Sequence, residues 1–220
     1  MKVIPILTVS HAVLFPYGQL PLPMRERHAT LMIEDLYSTD QEIGLLFVKD
    51  TSKFRLQFGE KEPAQIGCIG TVEMVERLPY GRLNLLLRGQ KRFFIQDFIT
   101  SKPVLRARIQ TIEEQDFPLT EAEKGRLTNW LYERIHEYLK VSMKCDAMNL
   151  HWKFDDIRLA ELINQAAMYL DLSLQEKQHI LELSSLEKKY QFVSNFIEEK
   201  LAVARFSKNK MCILENPVLN

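Results

Sequence analysis

Between Gln65 and Ile112 the chain carries four strand-length runs separated by short breaks. The first is Gln-Ile-Gly-Cys-Ile-Gly-Thr-Val-Glu-Met-Val-Glu-Arg-Leu. A turn at Pro79-Tyr80-Gly81-Arg82 leads into Leu-Asn-Leu-Leu-Leu-Arg-Gly. After Gly89 comes Lys-Arg-Phe-Phe-Ile-Gln-Asp-Phe-Ile, and the last run is Val-Leu-Arg-Ala-Arg-Ile-Gln-Thr-Ile. Apolar residues two apart share a strand face. On this period Ile66, Cys68, Val72 and Met74 fall together, as do Leu83, Leu85 and Leu87, and Leu105, Ala107 and Ile109. Arg106, Arg108 and Gln110 take the opposite, solvated side of the last run. Gly67 and Gly70 mark a sharp bend or bulge.

Upstream, Val3 to Leu7 reads as a short strand. Pro5 suggests an edge or a strand start, because proline cannot donate to a ladder. Ala12 to Gly18 is a turn-rich connector, and Gln19-Leu-Pro-Leu-Pro is extended, since a residue before proline avoids the helical region. His28, Leu31, Met32, Asp35 and Leu36 recur at helical spacing and predict a helix over 25–37. Glu42 to Lys49 is a nearly continuous apolar strand, expected to be buried on both faces. Thr51 to Pro63 is polar and reads as a loop with a possible short strand over 54–58. A strongly bent sheet with one short early helix points to a partly closed β-barrel.

At Pro118 the period changes. Thr120-Glu-Ala-Glu123, Ser173-Leu-Gln-Glu176 and Ser184-Ser-Leu-Glu187 are capping boxes, in which hydroxyl and carboxylate satisfy orphan amides at a helix start. Leu127, Trp130, Leu131, Ile135, Tyr138 and Leu139 form one apolar stripe. Ile157, Ala160, Ile163, Ala167 and Leu170 form a second, over a helix from about Phe154 to Leu170. Leu186, Tyr190, Val193, Ile197, Leu201 and Ala204 form a third. Lys144 to His151 is a break, and the tail from Phe206 is expected to be mobile or an irregular strand. Short connections favour packing of neighbouring helices.

The charge balance excludes a strongly basic domain. Up to Phe117 there are 15 Lys/Arg against 14 Asp/Glu, and beyond it 14 against 15. Nucleic acid and anionic membrane are therefore disfavoured as main partners. Cys68, Cys145 and Cys212 are few, scattered and odd in number, which suits reduced thiols in the cytoplasm. Pro5, Thr8, Ser10 and His11 interrupt the apolar N-terminus before a signal-type core can form. No apolar run approaches the roughly 18 residues that span a bilayer.

In order and spacing, Pro5-Ile-Leu, Val13-Leu-Phe-Pro, Leu20-Pro-Leu, Ile43-Gly-Leu, Ile69-Gly-Thr-Val, Gly81-Arg-Leu-Asn-Leu-Leu-Leu-Arg-Gly and Arg92-Phe resemble the Lon protease N-terminal domain family. So does the later Tyr169-Leu-x-Leu-x-Leu-x-x-Lys177-Gln178-x-x-Leu181-Glu182 run. The likeness covers roughly residues 3 to 202. It implies a PUA-like β-barrel followed by a helical bundle, acting in substrate recognition and assembly ahead of a motor. Two departures stand out. The family usually has glycine directly after the Phe-Pro of the connector, where Tyr17 stands here. It also tends to Phe-Glu-x-Arg-Tyr at the early helix, where this chain has Met24-Arg25-Glu26-Arg27-His28. No Gly-x-x-x-x-Gly-Lys-Ser/Thr phosphate cradle is present, so the expectation is a module standing alone, without motor or peptidase.

Catalytic readings are weak. His136-Glu137-Tyr-Leu-Lys140 begins like a zinc-binding helix, but lysine replaces the second imidazole that would hold the metal. Cys145 and His151 lack an orienting third group and an apolar cleft. Asp155-Asp156 suits a helix start, and Glu113-Glu114 a solvated strand exit. No catalytic residue, cofactor or metal site is expected. Arg82, Arg88, Lys91, Arg92, Arg106 and Arg108, with Tyr80 and Phe94, could gather on one side of the barrel. PUA-like barrels include RNA binders, so an RNA-binding barrel is the alternative reading. Glu73, Glu76 and Asp97 are acidic partners that would neutralise such a face.

The favoured surface is the apolar connector. Leu14, Phe15, Tyr17, Leu22 and Met24 lie in proline-rich turns where not every side chain can turn inward, and exposed apolar patches mark partner sites. The competing role for Leu14 and Phe15 is to plug the barrel end. The expected protein is α+β: a PUA-like, partly closed barrel over 1–117 with one short helix, then a helical bundle with a C-terminal tail over 118–220. Its expected function is non-catalytic binding of unfolded polypeptide segments or a protein partner, as an adaptor in protein quality control, with homo-oligomers allowed. The client's apolar side chains would be buried in a cleft between barrel and bundle.

Overall fold

The computed structural model describes residues 2–25, 42–49, 66–99, 104–142 and 157–214. Of the expected helix over 25–37, Arg25 instead closes a strand, and the rest, with the loop over 51–63 and the break over 144–151, lies outside these residues. The described chain forms six strands and four helices: β1 (Lys2–Val9), β2 (Gln19–Arg25), β3 (Glu42–Phe47), β4 (Ile66–Leu78), β5 (Arg82–Ile99), β6 (Arg106–Ile112), α1 (Glu121–Ser142), α2 (Leu159–Tyr169), α3 (Leu174–Glu182) and α4 (Leu186–Leu214). The expected α+β architecture, a partly closed barrel followed by helices, is the one adopted.

Two compact units divide the chain discontinuously. The first comprises Met1–Gln115 and Ala167–Ser184, the second Asp116–Ala166 and Ser185–Asn220.

In the first unit the strand order is β2-β5-β4-β3-β1-β6, and β5 also pairs with β6. The extra pairing turns five of the strands into a ring and leaves β2 outside it. Strand β1 bonds to β6 through Lys2–Pro5 and runs parallel to β3 through Ile6–Val9. Pro5 therefore lies where β1 changes partner. It is neither at an edge nor at a strand start, and its missing N–H interrupts no continuous ladder. In β3, Ile43, Gly44, Leu45 and Leu46 are all buried, as the continuous apolar run predicts. Ile43 and Leu45 join one apolar cluster with Leu14, Leu22, Cys68, Leu85 and Leu87. Leu46 joins the other, with Ile4, Ile6, Phe93, Ile95 and Ile109. Packing on both sides of one strand is what a curled sheet allows.

The break expected after Gly89 does not exist: β5 is one strand of 18 residues. The register slips between Ile69 and Gly70 opposite it, so the glycines mark a bulge, not a strand end. A Cβ on Gly89 would collide with the Phe15 carbonyl oxygen. The connector crosses β5 in van der Waals contact with its bare backbone, and only glycine permits that approach.

Helix α3 carries the full capping box expected at Ser173 and Glu176, with Ser173 N–H to Glu176 Oε2 at 2.7 Å and Glu176 N–H to Ser173 Oγ at 3.2 Å. It belongs to the sheet's unit. Gln178 Nε2 donates to the Ile66 carbonyl at 2.9 Å, and Lys177 Nζ to the Met168 carbonyl at 2.8 Å. Leu170, Leu172, Ile180 and Leu181 are buried beneath.

In the second unit, Thr120 and Glu123 close the expected capping box of α1. Leu131, Ile135, Tyr138 and Leu139 are buried along its inner stripe. Trp130 meets Tyr190, Arg134 meets Glu198 and Glu137 meets Arg205, so α1 and α4 run in the same direction. Val193, Ile197 and Leu201 are the buried positions of α4. Helix α4 differs from expectation at both ends. Lys189 N–H bonds to the Ser185 carbonyl, placing Ser185 and not Ser184 at its start. It then continues through the expected irregular tail to Leu214, there being no glycine or proline before Pro217 to stop it.

Candidate functional site

The five connector residues separate into two groups. Leu14 is 1%, Phe15 0% and Leu22 2% exposed, so these three fill the interior of the first unit and close it from solvent. Tyr17 is 40% exposed, and Met24 is half-buried beside Leu83. Two bonds fix the connector: Tyr17 N–H to the Gly89 carbonyl at 2.9 Å, and Gly89 N–H to the Gly18 carbonyl at 2.8 Å. The turn they close holds Tyr17 at φ 65°, in the left-handed region that glycine enters freely.

A broader surface escaped the sequence reading. Beyond the ring, β2, the first half of β5 and the second half of β4 extend as a three-stranded wing. Its inner face carries Leu22, Leu83, Leu85 and Leu87 into the core. Its outer face carries a cross-strand row in which Pro21 faces Leu86 and Leu86 faces Met74. Pro21 and Met74 are exposed and Leu86 is half-buried.

The period-2 reading puts Met74 on one face with Ile66, Cys68 and Val72. A register shift between Val72 and Met74 inserts Glu73 and turns the strand over. Met74 is consequently 50% exposed and its neighbour Val75 45%. The adjacent apolar pair Met74-Val75, which breaks strict alternation, is the one sequence signal of this bulge. Prolines 21 and 23 remove two donors from β2, the wing's outer strand, and so blunt an edge open to unwanted pairing.

At the wing's base, Glu73 is held between the Arg88 guanidinium and the Gln19 amide. The Arg88 hydrogen bond, opposed by partial burial, keeps the Glu73 carboxyl below the usual carboxylate range. Two further arginines of the sheet are also engaged and do not add to an open cationic face. Arg108 pairs with Asp97 at 3.2 Å, and Arg92 is buried against the end of α3. Phe94 is half-buried between Ile66 and Gln110.

The discounted chemistry finds simple structural roles. Glu137 bonds Arg134 and Arg205, and the His136 ring lies against Tyr132 at 5.9 Å. Cys145, His151, Asp155 and Asp156 lie outside the described residues. Among the described residues no cluster of three or more His, Cys, Asp or Glu is positioned to hold a metal. No helix among them is long and apolar enough to cross a membrane.

Comparison with known proteins adds the remaining observations. Residues 3–199 match the family model described as the ATP-dependent protease La (LON) substrate-binding domain. The Lon protease of Dictyoglomus thermophilum is 26% identical over 227 residues, an alignment covering 100% of this chain and 26% of that protein. Lon protease 2 of Herpetosiphon aurantiacus is 28% identical over 207 residues, covering 91% of this chain and 24% of its own length. The chain thus spans about a quarter of the curated relatives it matches. Among solved structures, the N-terminal domain of Mycobacterium avium complex Lon protease superposes with a TM-score of 0.68 at 17% identity, over 90% of this chain and 98% of that one. The Lon N-terminal domain protein from Xanthomonas campestris gives 0.61 at 20% identity, over 87% and 96%.

Proposed function

The chain belongs to the Lon protease substrate-binding domain family, and from that premise we propose that it recognises unfolded polypeptide segments without itself catalysing a reaction. The observation carrying this reading is the outer face of the wing, where Pro21, Leu86 and Met74 form an apolar row on a rigid three-stranded platform. Apolar side chains gathered in one exposed row, instead of scattered singly, mark sites where a partner packs. Methionine adapts to varied side chains, which suits a surface that must accept many sequences.

Such a site gains only the apolar area that it buries, and it must offset the ordering of a flexible chain. Weak, broad binding follows, as befits an adaptor in cytoplasmic protein quality control. The RNA-binding alternative has less support, because Arg88, Arg92 and Arg108 are already engaged within the fold.

The test is fluorescence anisotropy with a permanently unfolded, carboxymethylated protein. Losing half the burial of a methionine costs about 1 kcal/mol, so Met74→Ser should weaken binding about fivefold. Added salt should change the affinity of the apolar row little. Native protein that fails to bind any unfolded chain would overturn the proposal.

A further inference from the structure

Two arginines meet at the far end of the wing. The register sets Arg25 across from Arg82, and Arg82 across from Leu78, while Arg77 stands opposite Leu83 on the other face. Arg25 and Arg82 are both exposed. Like charges directly opposite one another in neighbouring strands repel. Elsewhere in this unit Arg88 has Glu73 and Arg108 has Asp97. Among the described residues, none gives Arg25 or Arg82 an acidic partner. The nearest carboxylate in the ladder, Glu76, stands opposite Asn84, one row back on the Arg82 face.

Between β4 and β5, at the same end, Tyr80 is 94% exposed. Tyr80 and Gly81 both hold positive φ, 63° and 64°, as the tight hairpin turn between the two strands requires. An arginine pair with no acidic partner among the described residues and a fully exposed aromatic ring are two independent observations at one place.

We infer that the wing tip is a subsite for carboxylate side chains, reading an Asp or Glu in an extended polypeptide whose apolar residue rests on the Pro21–Leu86–Met74 row. This rests on the polypeptide-binding reading above and adds a substrate class to it. The two rows are four residues apart on each strand: Pro21 to Arg25, Leu86 to Arg82, Met74 to Leu78. At about 3.4 Å per residue the separation is about 14 Å, so the segment carries its acidic residue four positions from its apolar one. Guanidinium groups take carboxylates through paired hydrogen bonds. A single nucleic-acid strand fits less well. It needs a cationic track over several nucleotides, whereas here Glu76 follows the tip and Glu73 neutralises Arg88 at the base.

The test uses two short labelled peptides, identical except that the residue four positions from a lone leucine is Glu in one and Gln in the other. The native protein should bind the Glu peptide about tenfold more tightly, an advantage that shrinks at high salt. Arg25→Gln with Arg82→Gln should abolish the advantage and leave the Gln peptide's affinity unchanged. Equal binding of both peptides by the native protein overturns the subsite and leaves the apolar row standing. Failure to bind either removes the polypeptide reading itself, and the subsite with it. Arginine-dependent capture of oligothymidylate, without a preference for the Glu peptide, assigns the tip to nucleic acid and overturns the inference.

Discussion

Arg92 on β5 donates an N–H to the carbonyl oxygen of Leu181, 2.9 Å away and 89 residues later in the chain. The same nitrogen reaches the Leu183 carbonyl at 2.7 Å. The guanidinium is 2% exposed and sits at the negative end of α3. Burial pulls the Arg92 pKa down, and Glu114, 4.0 Å away, opposes that pull. The group stays charged, because arginine's ordinary value is so high. Arg92→Met should cost about 3 kcal/mol, since two buried charge-assisted bonds are lost and two carbonyls are stranded. Urea denaturation gives the magnitude. Hydrogen exchange gives the location, with residues 174–182 losing protection first; unchanged exchange there would refute the clamp.

Two glycine substitutions should move stability in opposite directions. Gly89→Ala drives a methyl group into the Phe15 carbonyl and should cost at least about 2 kcal/mol. Gly125 lies exposed within α1 with nothing near the position a Cβ would take. Gly125→Ala should therefore stabilise by about 0.5–1 kcal/mol. Thermal unfolding of both variants against the native chain decides the matter.

Tyr80→Asn should stabilise the fold while weakening acidic-peptide binding. Asparagine tolerates positive φ better than tyrosine, and the exposed ring forfeits no packing, so a gain of about 0.5–1 kcal/mol is expected. A variant that gains stability and keeps full affinity would show the ring to be idle.

Acid should act on the wing through Glu73. Its carboxyl lies below its usual value of 4.5, chiefly through the Arg88 hydrogen bond. A carboxyl with a depressed folded pKa contributes stability that is present above the unfolded value and lost as pH falls through the folded one. The contribution should therefore be intact at neutral pH, begin to fade near pH 4.5 and vanish below the folded pKa. Glu73→Gln should lack this component, which a pH series of urea midpoints would reveal.

Local periodicity was enough to read most strands. The alternation of Leu83, Leu85 and Leu87 and the continuous run in β3 each gave the observed burial. The capping box at Ser173 and Glu176 placed the start of α3 to the residue. What local pattern could not carry is contact across sequence. Gly89 looks like a break until Phe15 is seen crossing it, and Arg92 looks like surface charge until Leu181 returns to meet it. Met74 changed face through a single inserted residue, because a strand's side chains alternate and one slip inverts them all. Of the connector, Tyr17 and part of Met24 remain open to solvent. Leu14, Phe15 and Leu22 carry the same apolar signature inside the core, since hydropathy does not distinguish a packed side chain from a waiting one.

The discontinuity of the first unit bears on how the protein is made. Its sheet is complete in sequence at Ile112, yet the helix that receives Arg92 emerges from the ribosome only after α1 and α2 have been synthesised. During that interval a charged side chain destined for the interior stays wet, and β4 lacks the Gln178 bond that fastens it. The nascent sheet thus stays unfastened at this edge until Ser184 has been synthesised.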